Sequence, residues 1–564
     1  MIKKLKLFLK KYGIYIIIIL LAILRILLGD KIGIWYASDQ GADDQLFAYY
    51  SSLKQHFLYP NYWSLIKLMG FPIFVNIVYI THLKYTFILS LIWIIDSILI
   101  YDIVTKITNN KLISFFSLVY VMFMPTAFES WLGTRMYRNS ILVPFYIMVF
   151  LLMLNENILL LKDEKNYKFV INSIFLGLLF TFTYLIKEDG LWILACLLLC
   201  TLIYTIILIK KTKNHKNFIK YITFCITPFF IFAISINTYK GINNHFFGVY
   251  VTETKSNGEL GKFVSNIYKI KSDYRTNNIW APKDAIEKAF NASPTLSQHK
   301  ELEESIYHSS WVMGDIDLHP IQGDFLTWTL RTSLLETGLW QNEKQINDFF
   351  KQVNTELDGS FKNGKLEKED KRIQLLSSAG GRTFKEMLNL KPIITREYIG
   401  AVFLKDYKAG CLYGNNFDMP STEIYIRKTK ENYLISQESF NSEKNQEKNN
   451  IIINIIFKIY RIINPILLLL VIIEIIIYIF KIIISLITKK KISHQELLIF
   501  LTIICFICIS IAYAFSIAWF SEFLFQEGIN QTILNFYSPG IPALLIIPYI
   551  FSIILLTYKK KKSL

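Results

Sequence analysis

Cysteine is scarce in this chain, at 6 of 564 residues, and histidine nearly so, at 8. Cys196, Cys200, Cys225, Cys505 and Cys508 fall in apolar runs, where a thiol behaves as a small hydrophobe. Cys411 alone lies in a polar stretch, which excludes a disulfide within that stretch. Cys505 and Cys508 imitate a redox or metal motif, but in the middle of an apolar helix the spacing reads as packing. His245 and His319 lack zinc-site spacing, so no structural metal is expected. Charge is thin as well, at 19% of residues against 53% hydrophobic and 15% aromatic. The net charge of +17 sits in short lysine-rich loops between apolar runs, so it reads as membrane topology, and no nucleic-acid partner is expected.

What fills the chain instead is apolar sequence in runs near the roughly 20 residues that a membrane-crossing helix needs. The reading is an α-helical polytopic membrane protein with about 10 transmembrane helices and a mostly α extracytoplasmic domain. The expected spans are 14–28, 86–104, 112–125, 140–154, 170–186, 191–209, 221–236, 465–486, 497–515 and 540–558. The first has lysines before it and no small-residue cleavage site after it, which reads as a retained anchor. Lysines 3, 4, 6, 10 and 11 and the run Lys559–Lys562 place both termini in the cytoplasm of a bacterial plasma membrane. Three parts follow: an N-terminal membrane module, 1–236, with a first outer loop at 29–85; an extracytoplasmic domain and linker, 237–450; and a C-terminal membrane module, 451–564. Residues 439–450 read as a mobile linker, and 451–464 as an amphipathic segment on the membrane surface. Residues 59–74, with their Gly-Phe-Pro break, read as a surface-lying segment leading back to the membrane, and 67–79 can dip into the bilayer.

Alternation brings three charged loops to one outer face. The first carries Asp39, Asp43 and Asp44, with Lys67 further along; the second carries Arg135 and Arg138; the third carries Lys187, Glu188 and Asp189. Adjacent carboxylates repel, so one of the Asp43 and Asp44 pair tends to take up a proton, a base or a cation. A carboxylate can deprotonate an acceptor hydroxyl, and arginines can grip phosphate oxygens in pairs. Such an assortment suits chemistry on a lipid-linked phosphate. Each element also has a plainer reading: acids cap helix starts, arginines snorkel at interfaces, and polar residues end spans. Asp39 reads as structural, Asp102 as interfacial, and Asp96 and Glu474 as buried acids with unassigned neighbours.

The order of a short N-terminus, one span, an acidic outer loop and a multi-span body with an outer domain resembles the GT-C-type integral membrane glycosyltransferases. Ala42–Leu46, Lys67–Phe74, Arg135–Ser140 and Lys187–Trp192 are similar to motif blocks of an uncharacterised bacterial subfamily, as are His245–Tyr250 and Asp324–Arg331. In that subfamily the Lys187 position is often arginine, so a two-pronged phosphate grip is not implied there. The resemblance implies a GT-C-like fold and a polyprenyl-phosphate-linked sugar donor. It implies Asp43 or Asp44 as general base, Arg135, Arg138 and Lys187 as donor-phosphate binders, and Glu188, Asp189 and Lys67 in support. The implied reaction is inverting glycosyl transfer to a cell-surface glycan, teichoic acid, lipid or protein. No certain cofactor follows, and a divalent cation at Asp43 and Asp44 stays open. Two alternatives stand beside this: a polysaccharide or lipid flippase, and a non-enzymatic membrane-anchored binding protein. Against the first, the charges lie at span ends rather than the midplane. Against the second, the acidic loop would be idle.

Overall fold

The computed structural model describes residues 2–37, 42–161, 165–211, 215–309, 321–376, 378–411, 418–431, 443–489, 492–525 and 528–562. The chain is mostly helical. It opens with α1 (Ile2–Ile32), two short helices α2 (Ala42–Ser51) and α3 (Leu53–Leu58), and α4 (Gly70–Thr81). Then come α5 (Tyr85–Thr108), α6 (Lys111–Met122), α7 (Asn139–Leu161), α8 (Asn166–Ile186), α9 (Leu191–Lys211) and α10 (His215–Phe247).

Among the described residues eight helices are long and apolar enough to cross a membrane. They correspond to eight of the ten expected spans. The third and sixth are shorter: α6 has 12 residues, and the described apolar part of α9 is Trp192–Ile207. The first span shows Ile19, Leu20 and Leu27 outward, as suits a helix facing lipid, while Arg25 and Leu28 are buried on its other side, Arg25 Nη1 donating to Ser90 of α5 at 3.4 Å. α5 and α6 form a hairpin whose turn follows from its asparagines. Asn109 takes the left-handed conformation, with φ 52°, and the Asn110 side chain caps α6 by accepting from Leu112 N and Ile113 N.

The polar region builds a second, smaller core from α11 (Gly258–Ile267), α12 (Lys283–Ala292), α13 (Pro294–Ser297), α14 (Lys300–Tyr307), α15 (Leu326–Glu336) and α16 (Glu343–Lys362). The first, second, fourth and sixth of these carry clear apolar stripes, and the stripes meet at Phe263, Ile286, Leu302 and Phe350. A two-stranded antiparallel ribbon, β1 (Ile279–Ala281) with β2 (Ile321–Gln322), pairs Ile279 with Gln322 and Ala281 with Ile321. α17 (Phe384–Leu388), opened by a Thr383–Glu386 capping box, leads to α18 (Lys391–Phe403) and, further on, α19 (Met419–Thr429).

The boundaries differ from the expected ones. α10 continues past 236 to Phe247. Residues 237–450 do not form one separate unit, because Ala401, Val402, Leu404, Tyr407 and Tyr425 join the core of the membrane helices. The segment 451–464 is not set apart from the span that follows it, nor does 443–450 form a loop. Both belong to α20 (Glu443–Thr488), a continuous helix of 46 residues. Ile453, Phe457 and Tyr460 pack into the membrane core, and the polar turns 443–450 extend the helix nucleated there. At ~1.5 Å per residue this helix is roughly 70 Å long, over twice a hydrocarbon core. The chain closes with α21 (His494–Ser521), α22 (Gln531–Tyr537) and α23 (Gly540–Lys562).

Candidate functional site

At the end of the helix bundle nearest the second core, a cavity of about 890 Å³ opens. It is lined by Asp43, Asp44, Lys67, Arg135, Arg138, Lys187 and Glu188 from the membrane body, and by Glu253, Lys255, Asp324 and Trp328 from the polar region. Aromatic and aliphatic side chains of α9, α21 and α22, among them Trp192, Ile517 and Phe536, form the rest of its wall.

Each charged group reaches the cavity for a local reason. Asp43 and Asp44 fall in the first turn of α2, where the helix dipole favours acids. The residues after α1 pair with the segment after α6: Trp35 N donates to Thr134 O at 2.9 Å and Met136 N to Trp35 O at 2.7 Å. That brings Arg135 against α2. Lys67 ends an irregular stretch that runs into α4, and α4 starts at Gly70 because no side chain fits there. A Cβ on Gly70 would collide with the backbone of Leu185 and Ile186. Lys187 and Glu188, which follow α8, line the same cavity as Lys67. Glu188 begins a single 3-10 turn, Glu188–Gly190, before α9.

The two aspartates have different surroundings. Asp44 is buried, and Arg135 grips it with both prongs, Nε to Oδ1 at 3.1 Å and Nη2 to Oδ2 at 2.6 Å. The Arg135 guanidinium is ringed by Trp35, Trp131, Tyr137 and Phe536 at 4.7–5.5 Å. Burial pushes the Asp44 carboxyl up, to about 6, against the pull of Arg135. Asp43 keeps 28% of its side chain exposed. Its Oδ2 lies 3.0 Å from Lys67 Nζ and 3.8 Å from Arg138 Nη2, and accepts from the Tyr137 hydroxyl at 3.1 Å. Burial works against its ionisation, but Lys67, Arg138 and Lys255 outweigh it and hold the carboxyl below its ordinary range.

Arg138 bridges onward. Its Nη1 donates to Glu188 Oε2 at 2.5 Å, and its Nε to the Tyr137 hydroxyl at 3.2 Å. Glu188 is pulled well below the carboxylate range, burial being overcome by Arg138, Lys67 and Lys255. Its Oε1 is buried with no hydrogen-bond partner among the described residues. Lys187 Nζ reaches the Tyr537 carbonyl at 3.5 Å. Lys67 also lies 5.2 Å from the Trp328 ring.

Of the residues singled out from the sequence, Asp43, Asp44, Lys67, Arg135, Arg138, Lys187 and Glu188 come together in this cavity. Asp39 and the Asp189 side chain lie outside the described residues, as does His319. Sequence reasoning did not reach Lys255, and its ion-pair partner Asp324 entered only as the start of a motif block with no role in the site; both lie in the polar region. Lys255 is held strongly protonated: burial opposes the charge, and Asp324, Glu188 and Asp43 more than compensate. The cue lay within the Asp324–Arg331 block itself, whose acid precedes an aromatic helix start. The Asp43 and Asp44 carboxylates do not share one ligand sphere, since each already faces a different cation. Among the described residues no three His, Cys, Asp or Glu side chains gather as a metal site. No family model, no curated protein and no solved structure matches this chain.

Proposed function

We propose that this chain is a membrane glycosyltransferase of the GT-C kind. It takes a sugar from a polyprenyl-phosphate donor and passes it, with inversion, to a hydroxyl of a cell-surface acceptor at the outer face of a bacterial plasma membrane. One observation carries the reading. A partly exposed, ionised carboxylate, Asp43, lies between Lys67 and Arg138 in a cavity of about 890 Å³ where apolar helices end.

In this reading the donor's phosphate lies against Lys67, Arg138 and Lys255, and its lipid stays among the apolar walls. The acceptor hydroxyl attacks the anomeric carbon as Asp43 takes its proton, and the bond from that carbon to the phosphate oxygen breaks. The electron pair leaves with the polyprenyl phosphate, which the three cations stabilise without a strong general acid. A phosphate drawing Lys67 and Arg138 away from Asp43 also raises the basicity of Asp43 at the moment it must accept a proton. Arg135 and Asp44 satisfy one another, so in this scheme they brace the site. The unpartnered Glu188 Oε1 offers an acceptor for a sugar hydroxyl. This orientation puts both termini in the cytoplasm.

The test uses the purified chain in nanodiscs with a pool of polyprenyl-phosphate sugars and a bacterial cell-envelope fraction as acceptor, and measures release of polyprenyl phosphate. Asp43→Asn in a normally inserted protein is expected to lower release at least about 100-fold. Unchanged release by Asp43→Asn overturns Asp43 as the base, and absence of release by the wild type, with movement of intact donor across the bilayer of liposomes by both proteins, overturns the reading in favour of a flippase.

A further inference from the structure

Lys67 and Lys255 come from segments nearly 190 residues apart in sequence, yet both face Asp43 and Glu188. Something must fix their separation. Neither lysine sits on a helix: Lys67 ends the irregular stretch after α3, and Lys255 lies in the loop between α10 and α11. Loops of this kind hold a site only when another element pins them.

The pin is α15. Arg331 in this helix is 1% exposed and is gripped by Glu343 of α16, with Nη1 to Oε1 at 2.6 Å and Nη2 to Oε2 at 3.1 Å. Its two prongs also reach both loops. Nη1 donates to the Tyr62 carbonyl at 2.5 Å, and Nη2 to the Thr254 hydroxyl. Thr254 then closes the triangle. Its N–H donates to the Leu65 carbonyl at 2.8 Å and its hydroxyl to the same oxygen at 3.1 Å. Leu65 stands two residues before Lys67, and Thr254 one before Lys255. The same element touches the lysines themselves: Asp324, in the turn before α15, pairs with Lys255, and Trp328 lies under Lys67.

We propose that Arg331 is a positioning residue that sets the spacing of Lys67 and Lys255 across the cavity, so that the polar region frames the anion site as well as roofing it. The functional meaning rests on the glycosyltransferase reading; the positioning does not. A guanidinium is suited to this task because its planar fork makes several directed hydrogen bonds at once, which an ammonium cannot.

The experiment is residue-resolved lysine modification of the full chain in nanodiscs by reductive methylation, read by mass spectrometry. Lys67 and Lys255 are shielded, at 3% and 13% exposure, and react slowly in the wild type. In Arg331→Lys both are expected to react about five- to tenfold faster. Lys428, also buried but bonded to Asn76 of α4, keeps its rate. Thr254→Val removes only the hydroxyl link and is expected to move the same two lysines in the same direction, which keeps the test readable if Arg331→Lys folds poorly. Wild-type rates at Lys67 and Lys255, or acceleration of Lys428 alongside them, overturn the proposal, the latter marking general loosening. A parallel titration with polyprenyl phosphate separates the two readings. Failure of the wild type to bind it sinks the glycosyltransferase assignment and leaves the lysine result standing. Binding weakened in step with lysine exposure supports both.

Discussion

Two adjacent aspartates do different work because of what surrounds them. Asp44 and Arg135 are 2% and 4% exposed, and each is the other's charge partner. Asp44→Asn leaves a guanidinium buried among aromatic rings without its carboxylate, a loss of the kind that costs about 3–5 kcal/mol. A lower thermal transition of the detergent-solubilised protein is therefore expected. Asp43→Asn also strips a buried cation, Lys67, of its carboxylate, but Asp43 faces the cavity with 28% of its side chain exposed, so its thermal shift is expected to be the smaller of the two. A pair of variants with one large and one small thermal shift checks this; equal shifts refute it. Glu188 supplies the pH signature. Its folded carboxyl is held below the range of the unfolded chain, so its contribution is fully present above about pH 4.5 and lost as pH falls further. In Glu188→Gln the acid limb of the unfolding profile is expected to flatten, while the neutral limb keeps its shape.

At the scale of elements, the charged ends of apolar runs were legible because a span must end in polar residues, and alternation decides which ends meet. The charged loops at Asp43, Arg138 and Glu188 follow from that logic, whereas the block at Lys67 rests on the resemblance. The mutual pairing of Asp44 with Arg135 was not legible, since 91 residues separate them and the backbone pairing of Trp35 with Thr134 and Met136 that joins their segments has no sequence signature. α20 was misread at its start because scattered Lys458 and Arg461 imitate an interfacial helix. In the fold Arg461 donates to the Leu404 carbonyl at 3.2 Å and the helix continues. The segment that presents Arg135 and Arg138 has its own control point in Glu129. That carboxylate is buried and accepts from Trp131 N, Leu132 N and Lys408 N at 2.7, 2.9 and 3.3 Å. Burial, against those three donors, pushes it up to about 7. Between about pH 4.5 and 7 the folded chain thus holds a proton the unfolded chain has released, and stability falls as pH rises through that window. Amide exchange at 129–138 and 408–410, corrected for intrinsic rate, is expected to speed up from pH 5 to pH 8. Glu129→Gln is expected to abolish that difference.

For the whole molecule, the question is whether the polar region is a module or a part of the membrane body. Composition suggested a module, since 237–450 is long and polar enough to hold its own core. The packing says otherwise. The smaller core takes in Ala518, Trp519, Phe523 and Leu534 from α21, α22 and the turn between them. Arg382, fully buried, donates to the Trp519 carbonyl at 2.6 Å and pairs with Glu522, while the Trp519 indole donates to the Gly380 carbonyl at 2.9 Å. Tyr398 reaches Ser510 within the span at 2.6 Å. These are core contacts, and they hold the roof of the cavity to the helices that form its wall. Removing the Arg382 side chain strands Glu522 and the Trp519 carbonyl, a change of about 3–5 kcal/mol. Arg382→Ala is therefore expected to expose the polar region to protease in the intact protein at temperatures where the wild type resists. A fragment spanning 248–411 is expected to unfold at lower temperature than the same residues in the full chain. If the fragment instead melts cooperatively at the full-chain temperature, the region is a self-sufficient module. The cavity would then be an interface between two bodies, free to open by moving one against the other.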